Sequence, residues 1–323
     1  MVLAIDVEPD GKPSSHDDPI VLDGFRATVE WLDELRPRLA AATGHPVQFA
    51  WFLRMDPQIA SLGGSAEALA MAVLPELLEL RRRGDGIGLH THVGRWDDVH
   101  RRWLVDHGNP PWIEQCVRTA FRAYEDVLGE VCRQHRFGDR WTSPAALDLI
   151  ADLGATVDLS EEPGKGRIKR VDTSADATGE IPSYRHLRSV ARPHRDARLW
   201  LLPLTSADPG PALAWPVRAA RWVRFFGQPL HRPLTLNRRW TSADAYWSLV
   251  ERALDRQTAP YLALAIRSDF LLRPDMSEMR NMLDALPSRA LTARLRFADA
   301  VRAVEMFREA SVATGSEMRA AQA

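Results

Sequence analysis

Cysteine is nearly absent: the 323 residues contain two, Cys116 and Cys132. Both fall in the stretch 112–134, whose apolar spacing reads as one helix. A helix rises about 1.5 Å per residue and a disulfide needs Cα atoms within about 7 Å, so the two cannot be bridged to each other there. They are expected to be reduced and buried. An excess of charge of either sign is also lacking, since 42 Lys+Arg face 43 Asp+Glu for a net charge of −1. That excludes the broad basic field with which a dedicated nucleic-acid binder collects phosphates. No apolar run approaches the roughly 18 residues of a transmembrane helix. The opening Met1-Val-Leu-Ala-Ile-Asp6 has no basic segment, long apolar segment or cleavage site, so the expected location is cytoplasmic. Lysine is scarce as well, at Lys12, Lys165 and Lys169.

What is present is an ordinary globular composition, 45% hydrophobic and 26% charged. Strand-length apolar runs at 2–5, 47–53, 86–92, 135–138, 156–159, 199–204 and 261–266 alternate with helical spacing at 22–39, 65–82, 112–134, 143–153, 243–255 and 297–307. This βα rhythm predicts an α/β fold of mainly parallel strands with helices outside, closed as a single-domain barrel. The barrel is expected over 1–309, with excursions near 164–198 and 207–240 and a disordered tail over 310–323.

In such folds the working residues collect where strands end and loops diverge. The first strand ends Ile5-Asp6-Val7-Glu8, and the third ends His90-Thr91-His92. Residues two apart on a strand point the same way, so each pair shares a face. An acidic turn and an incidental His-x-His are the plain alternatives. Together at one barrel mouth, however, Asp6 or Glu8 with His90 and His92 would form a two-histidine, one-carboxylate site with positions open for water and substrate. Arg136, at the next strand end, would enter beside the acids, where a guanidinium keeps a carboxylate ionised and oriented. Ser143, Pro144 and Gly154 mark the limits of the helix that follows.

In order, Ile5-Asp6-Val7-Glu8, Gly86 to His92, Arg136-Phe-Gly-Asp-Arg-Trp141 and Val157-Asp158 resemble the polysaccharide deacetylase family, carbohydrate esterase 4-like with a NodB-homology domain. The nearest likeness is to its variant Asp-x-Glu, WalW-like branch. The resemblance implies a distorted (β/α) barrel of the NodB-homology type and metal-dependent removal of an acyl group, usually acetyl, from an amide nitrogen of an amino sugar. It implies a divalent metal, zinc above all, held by Glu8, His90 and His92, with Asp6 as catalytic base and Arg136 pairing with that base. The chain departs from the pattern at three places. The family's histidines stand four apart, whereas position 94 is Gly; Glu8 is longer than the usual Asp; and the last strand ends in Arg267 and Asp269 instead of a catalytic histidine. Arginine does not release protons near neutral pH, but it can steady an oxyanion or an anionic substrate.

Two further readings follow. A barrel that has lost catalysis would serve as a carbohydrate- or glycolipid-binding or accessory protein. A different metal-dependent amidohydrolase acting on a small amide is a third, although the carbamylated lysine often found there has no candidate, none of the three lysines lying at a strand end. Arg54 and Asp56 read as a strand-end ion pair. The stretch 211–240 carries six arginines, no acid, and Trp215, Trp222, Phe225, Phe226 and Trp240. It suits an anionic or glycolipid surface, or simply aromatics packed on the barrel beneath wet arginines. Trp96, Asp97, Asp98 and His100 read as a polar loop tip outside the site.

Overall fold

The seven apolar runs become seven parallel strands of one sheet in the computed structural model, which describes residues 1–11, 13–139, 141–163, 190–195, 197–219, 232–234, 240–257, 260–273 and 277–320. The strands are β1 (Val2–Val7), β2 (Ala50–Leu53), β3 (Gly86–Thr91), β4 (Gly94–Asp97), β5 (Arg102–Val105), β6 (Gln134–Phe137), β7 (Val157–Asp158), β8 (Arg192–Pro193), β9 (Trp200–Leu201), β10 (Ser206–Ala207), β11 (Arg232–Pro233) and β12 (Ala263–Arg267). The helices are α1 (Asp23–Thr43), α2 (Pro57–Gly63), α3 (Ala68–Met71), α4 (Leu74–Arg82), α5 (Pro110–Leu128), α6 (Pro144–Asp152), α7 (Ala243–Asp255), α8 (Ser277–Asp284) and α9 (Ala300–Ala320). The main sheet has eight strands in the order β12-β1-β2-β3-β6-β7-β9-β8, with only β8 antiparallel to its neighbour.

Alternation along the strands makes the curled sheet a barrel. Leu3, Ile5, Val7, Trp51, Leu53, Ile87, Leu89, Leu264 and Ile266 join the apolar cluster under the helices, while Val2, Ala4, Ala50, Phe52, Ala263 and Ala265 join a second cluster inside the curl. The neighbouring strands β3 and β6 approach closely there: a Cβ on Gly88 would collide with the backbone carbonyl of Gln134. Ala300 and Val304 of α9 plug the N-terminal end, and the Ala300 N–H donates to Gln134 Oε1 at 3.3 Å. Closure is irregular. Beyond β9 the chain reaches the far edge through Thr205, whose N–H donates to Ala263 O at 2.9 Å and whose Oγ1 accepts from Ala263 N at 2.9 Å. The fold is thus α/β, a distorted and mostly parallel half-barrel.

Several expected boundaries move. The helix expected over 112–134 ends at Leu128, because Gly129 adopts φ 70° and its N–H returns to Glu125 O. Cys132 therefore lies beyond that helix, and both cysteines are free and buried. The stretch 65–82 is two helices, broken at Val73 just before Pro75. The supposed loop tip around Trp96 is a hairpin, β4 with β5. The last helix spans Ala300–Ala320. Lys12, Lys165, Lys169 and most of the excursion at 164–198 lie outside the described residues, as do Arg221, Trp222, Arg224, Phe225, Phe226, Arg238 and Arg239. Of the arginine-aromatic stretch, Trp215 is exposed and Trp240 is buried. No helix among the described residues is long and apolar enough to cross a membrane.

Candidate functional site

The inward positions that carry uncharged residues near the N-terminal end of the barrel carry charge at the other. Asp6 and Glu8 follow Ala4, Arg54 follows Phe52, His90 follows Gly88, Arg136 follows Gln134 and Arg267 follows Ala265. All except Arg267, whose side chain is 33% exposed, are buried. Unpaired buried charge is costly, so these groups must satisfy one another.

They do so in two linked sets. In the first, His90 Nε2 lies 3.5 Å from Glu8 Oε1 and 2.9 Å from His92 Nε2. The other ring nitrogens are committed: His90 Nδ1 lies 3.2 Å from the Arg136 carbonyl, and His92 Nδ1 lies 3.1 Å from Asp139 Oδ2. Both of those partners accept, so a proton on each Nδ1 is satisfied there, and each Nε2 is the nitrogen that can give a lone pair to an ion beside Glu8. Three electron-pair donors facing inward fit a divalent cation, and two imidazoles with a carboxylate form a donor set suited to zinc with open positions. Among the described residues, Glu8, His90 and His92 form the one such cluster, with ligand atoms within 4.8 Å of one another. The other Glu8 oxygen is engaged, 3.1 Å from Arg267 and 3.7 Å from Arg54, leaving Oε1 for a ligand. Burial pushes the Glu8 carboxyl up. The His90 hydrogen bond and the charges of His92, Arg267 and His90 outweigh burial and hold it well below the usual carboxylate range.

The second set centres on Arg136. Its Nε lies 3.3 Å from Asp6 Oδ2, its NH1 donates to Leu159 O at 2.7 Å and its NH2 to Glu162 at 3.0 Å. Burial opposes its charge, but Asp6 and Glu162 raise its pKa beyond the ordinary arginine value. Asp6 Oδ1 is buried and makes no hydrogen bond among the described residues; it lies 3.2 Å from Arg136 Nε in the same ion pair and 3.9 Å from His90 Nδ1. Arg267 is clamped by both oxygens of Asp269, at 3.0 and 3.2 Å, which fixes its guanidinium over Glu8.

The structure therefore brings Asp6, Glu8, His90, His92, Arg136 and Arg267 to one mouth. It adds four residues that sequence reasoning passed over as site members. Arg54, expected in a strand-end pair, does bind Asp56 at 2.7 and 2.9 Å, but it also faces Glu8. Asp56 in turn caps α2 and accepts the His92 backbone N–H at 3.1 Å. Glu162 holds Arg136, and Asp139 holds His92. Asp139 lies inside the stretch Arg136 to Trp141, and that position was its one available signal. Burial raises its carboxyl, but the charge and hydrogen bond of His92 and the charges of His107 and Arg54 bring it well below the ordinary range.

On the opposite face of β6, His135 is fully buried. Its Nδ1 lies 2.9 Å from Asp158 Oδ2 and its Nε2 3.1 Å from Thr91 Oγ1. Asp158 also accepts from the N–H and hydroxyl of Ser160. The arrangement looks like a nucleophile relay, but all four residues are sealed from solvent, so it ties β3, β6 and β7 together. Burial lowers the His135 pKa below its ordinary 6.5, outweighing the hydrogen bond and charge of Asp158. The unfolded chain then binds a proton that the native state refuses, so stability is full above about 6.5 and falls as pH drops below it. Urea midpoints at pH 7.5 and 5.5 should show this loss in the wild type and less of it in His135→Gln. An equal loss in both proteins would remove His135 as its source.

No family model matches the sequence, and no curated protein matches it. Solved structures resemble it at low identity. One is a Mycobacterium smegmatis protein assigned as a polysaccharide deacetylase: 13% identity, 96% of this chain and 91% of that chain covered, TM-score 0.46. The peptidoglycan deacetylase PdaC from Bacillus subtilis gives 10% identity, 98% and 95% coverage and TM-score 0.39. The Bacillus anthracis protein BA3943, a CE4 family pseudoenzyme, gives 10% identity, 94% and 64% coverage and TM-score 0.42.

Proposed function

We propose that this protein is a metal-dependent hydrolase that removes an acyl group, acetyl in the first instance, from the amide nitrogen of an amino sugar or related glycan. The observation that carries this reading is the convergence of His90 Nε2, His92 Nε2 and Glu8 Oε1 beside Asp6, whose carboxylate is paired with Arg136 and whose Oδ1 makes no hydrogen bond among the described residues. Glu8, His90 and His92 hold the divalent ion, zinc by donor type. When bound, such an ion polarises an amide carbonyl and makes a water molecule acidic. Asp6, oriented by its ion pair with Arg136, would take the proton of the attacking water. Arg267 supplies fixed positive charge for the oxyanion, since arginine cannot serve as the proton donor. The proton on Asp6 is the one at hand for the departing amine. Acetate release from N-acetylated oligosaccharides by zinc-loaded protein tests the reading. Asp6→Asn should lower turnover by about 10²–10⁴-fold with metal content unchanged, and wild-type turnover in that variant would remove Asp6 as the base.

A second reading is favoured by one contact, the 3.1 Å approach of Arg267 to Glu8 where a proton-releasing histidine is the family expectation. In it the barrel binds glycans without cleaving them. Zinc-loaded wild type that binds N-acetylated oligosaccharides but releases no acetate would establish that reading over the first.

A further inference from the structure

We infer that the turn Gly138–Asp139 is a dedicated cradle that makes His92 a metal ligand, with Asp139 as its positioning residue; this rests on the metal-site reading above. The first observation is the 3.1 Å contact between Asp139 Oδ2 and His92 Nδ1. It fixes the Nδ1–H tautomer and the ring plane, and a carboxylate on the far nitrogen strengthens an imidazole as a ligand. The second is steric. A Cβ on Gly138 would collide with Nε2, Cδ2 and Cε1 of His92, so the ring occupies space that only glycine leaves open. The third is conformational: Asp139 has φ 54°, a left-handed backbone uncommon outside glycine, although Asn and Asp adopt it most readily of the rest. Such backbone is retained at functional sites when its surroundings over-determine it. Here they do, because the Gly138 N–H donates to Thr91 O at 2.9 Å and the Trp141 N–H returns to Gly138 O at 3.2 Å. The turn is thereby anchored to the residue between the two histidines.

These features explain how a histidine pair at i, i+2 can work. Both rings leave the strand on one face, and His92, whose side chain is 16% exposed at the rim, would otherwise be free to turn its Nε2 away from His90. Asp139 supplies from the neighbouring strand end the orientation that the strand itself cannot give.

The test is a zinc competition titration on metal-free protein, with the visible absorption of the cobalt-substituted form as a second readout. Asp139→Gly keeps the left-handed backbone and removes the carboxylate; Asp139→Asn keeps an acceptor oxygen and removes the charge. We expect zinc affinity to fall about 10–100-fold in Asp139→Gly, with an altered cobalt spectrum, and Asp139→Asn to lie between it and wild type. Wild-type affinity and spectrum in Asp139→Gly would overturn the cradle while leaving the metal site standing. A wild-type protein that takes up no zinc would instead overturn the metal-site reading, and the cradle with it.

Discussion

Replacing His90 and His92 together by alanine should take zinc from roughly one ion per chain to none, measured by elemental analysis after dialysis against buffered zinc. The geometry leaves no substitute ligand. Glu8 would remain with one oxygen held by Arg267 and Arg54, and two guanidiniums within 3.1 and 3.7 Å repel a divalent ion. Asp6 is drawn the other way by Arg136, and Asp139 would face the space left by the His92 ring. A metal that binds only the native state also stabilises it, by about 2.7 kcal/mol when free zinc is 100 times its Kd. Zinc should therefore raise the unfolding midpoint of the wild type and leave that of the double variant where it is. The variant should still fold, because Glu8 keeps Arg267 and Arg54 as partners. Unchanged metal content would dispose of the site, whatever the fold.

How much of this was visible in the chain follows from what each feature depends on. Strand parity depends on neighbours in sequence, and so Asp6 with Glu8 and His90 with His92 were legible as same-face pairs. All seven parallel strands were legible for the same reason, as short apolar runs between helical stretches. Partnerships between strand ends depend on register. The adjacency of β3 and β6 puts His90 opposite Arg136, and the adjacency of β1 and β12 puts Asp6 opposite Arg267; neither follows from spacing. Asp139 was unreadable because its role needs a left-handed turn, and aspartate does not announce one as glycine does. Arg54 read as half of an ion pair, which it is, but its approach to Glu8 comes from the pairing of β1 with β2. The end of α5 was misplaced because apolar spacing continued through Val131 and Cys132, although Gly129 had already turned the chain.

Arg136→Met should cost about 3–5 kcal/mol of stability at pH 7, seen as a lower urea midpoint with an unchanged slope. Methionine has nearly the length of the arginine stem, so packing changes little and the loss is electrostatic. Asp6 and Glu162, 6% and 7% exposed, would be left in the barrel with their shared cation gone, and the Leu159 carbonyl would lose its donor. Arg136→Lys should restore part of the loss only, since an ammonium on a flexible stem cannot reach three acceptors that a planar fork meets at once. Protonation of the two orphaned carboxyls would remove the uncompensated charge, so the deficit of Arg136→Met relative to wild type should shrink as pH falls through the ordinary carboxylate range. Combining it with Asp6→Asn should likewise cost less than the sum of the two changes, because the first leaves the charge that the second deletes. A deficit below about 0.5 kcal/mol, unchanged by pH, is what an ordinary surface substitution gives. That result would mean that water reaches Asp6 freely, and the guanidinium could then no longer be credited with orienting the base.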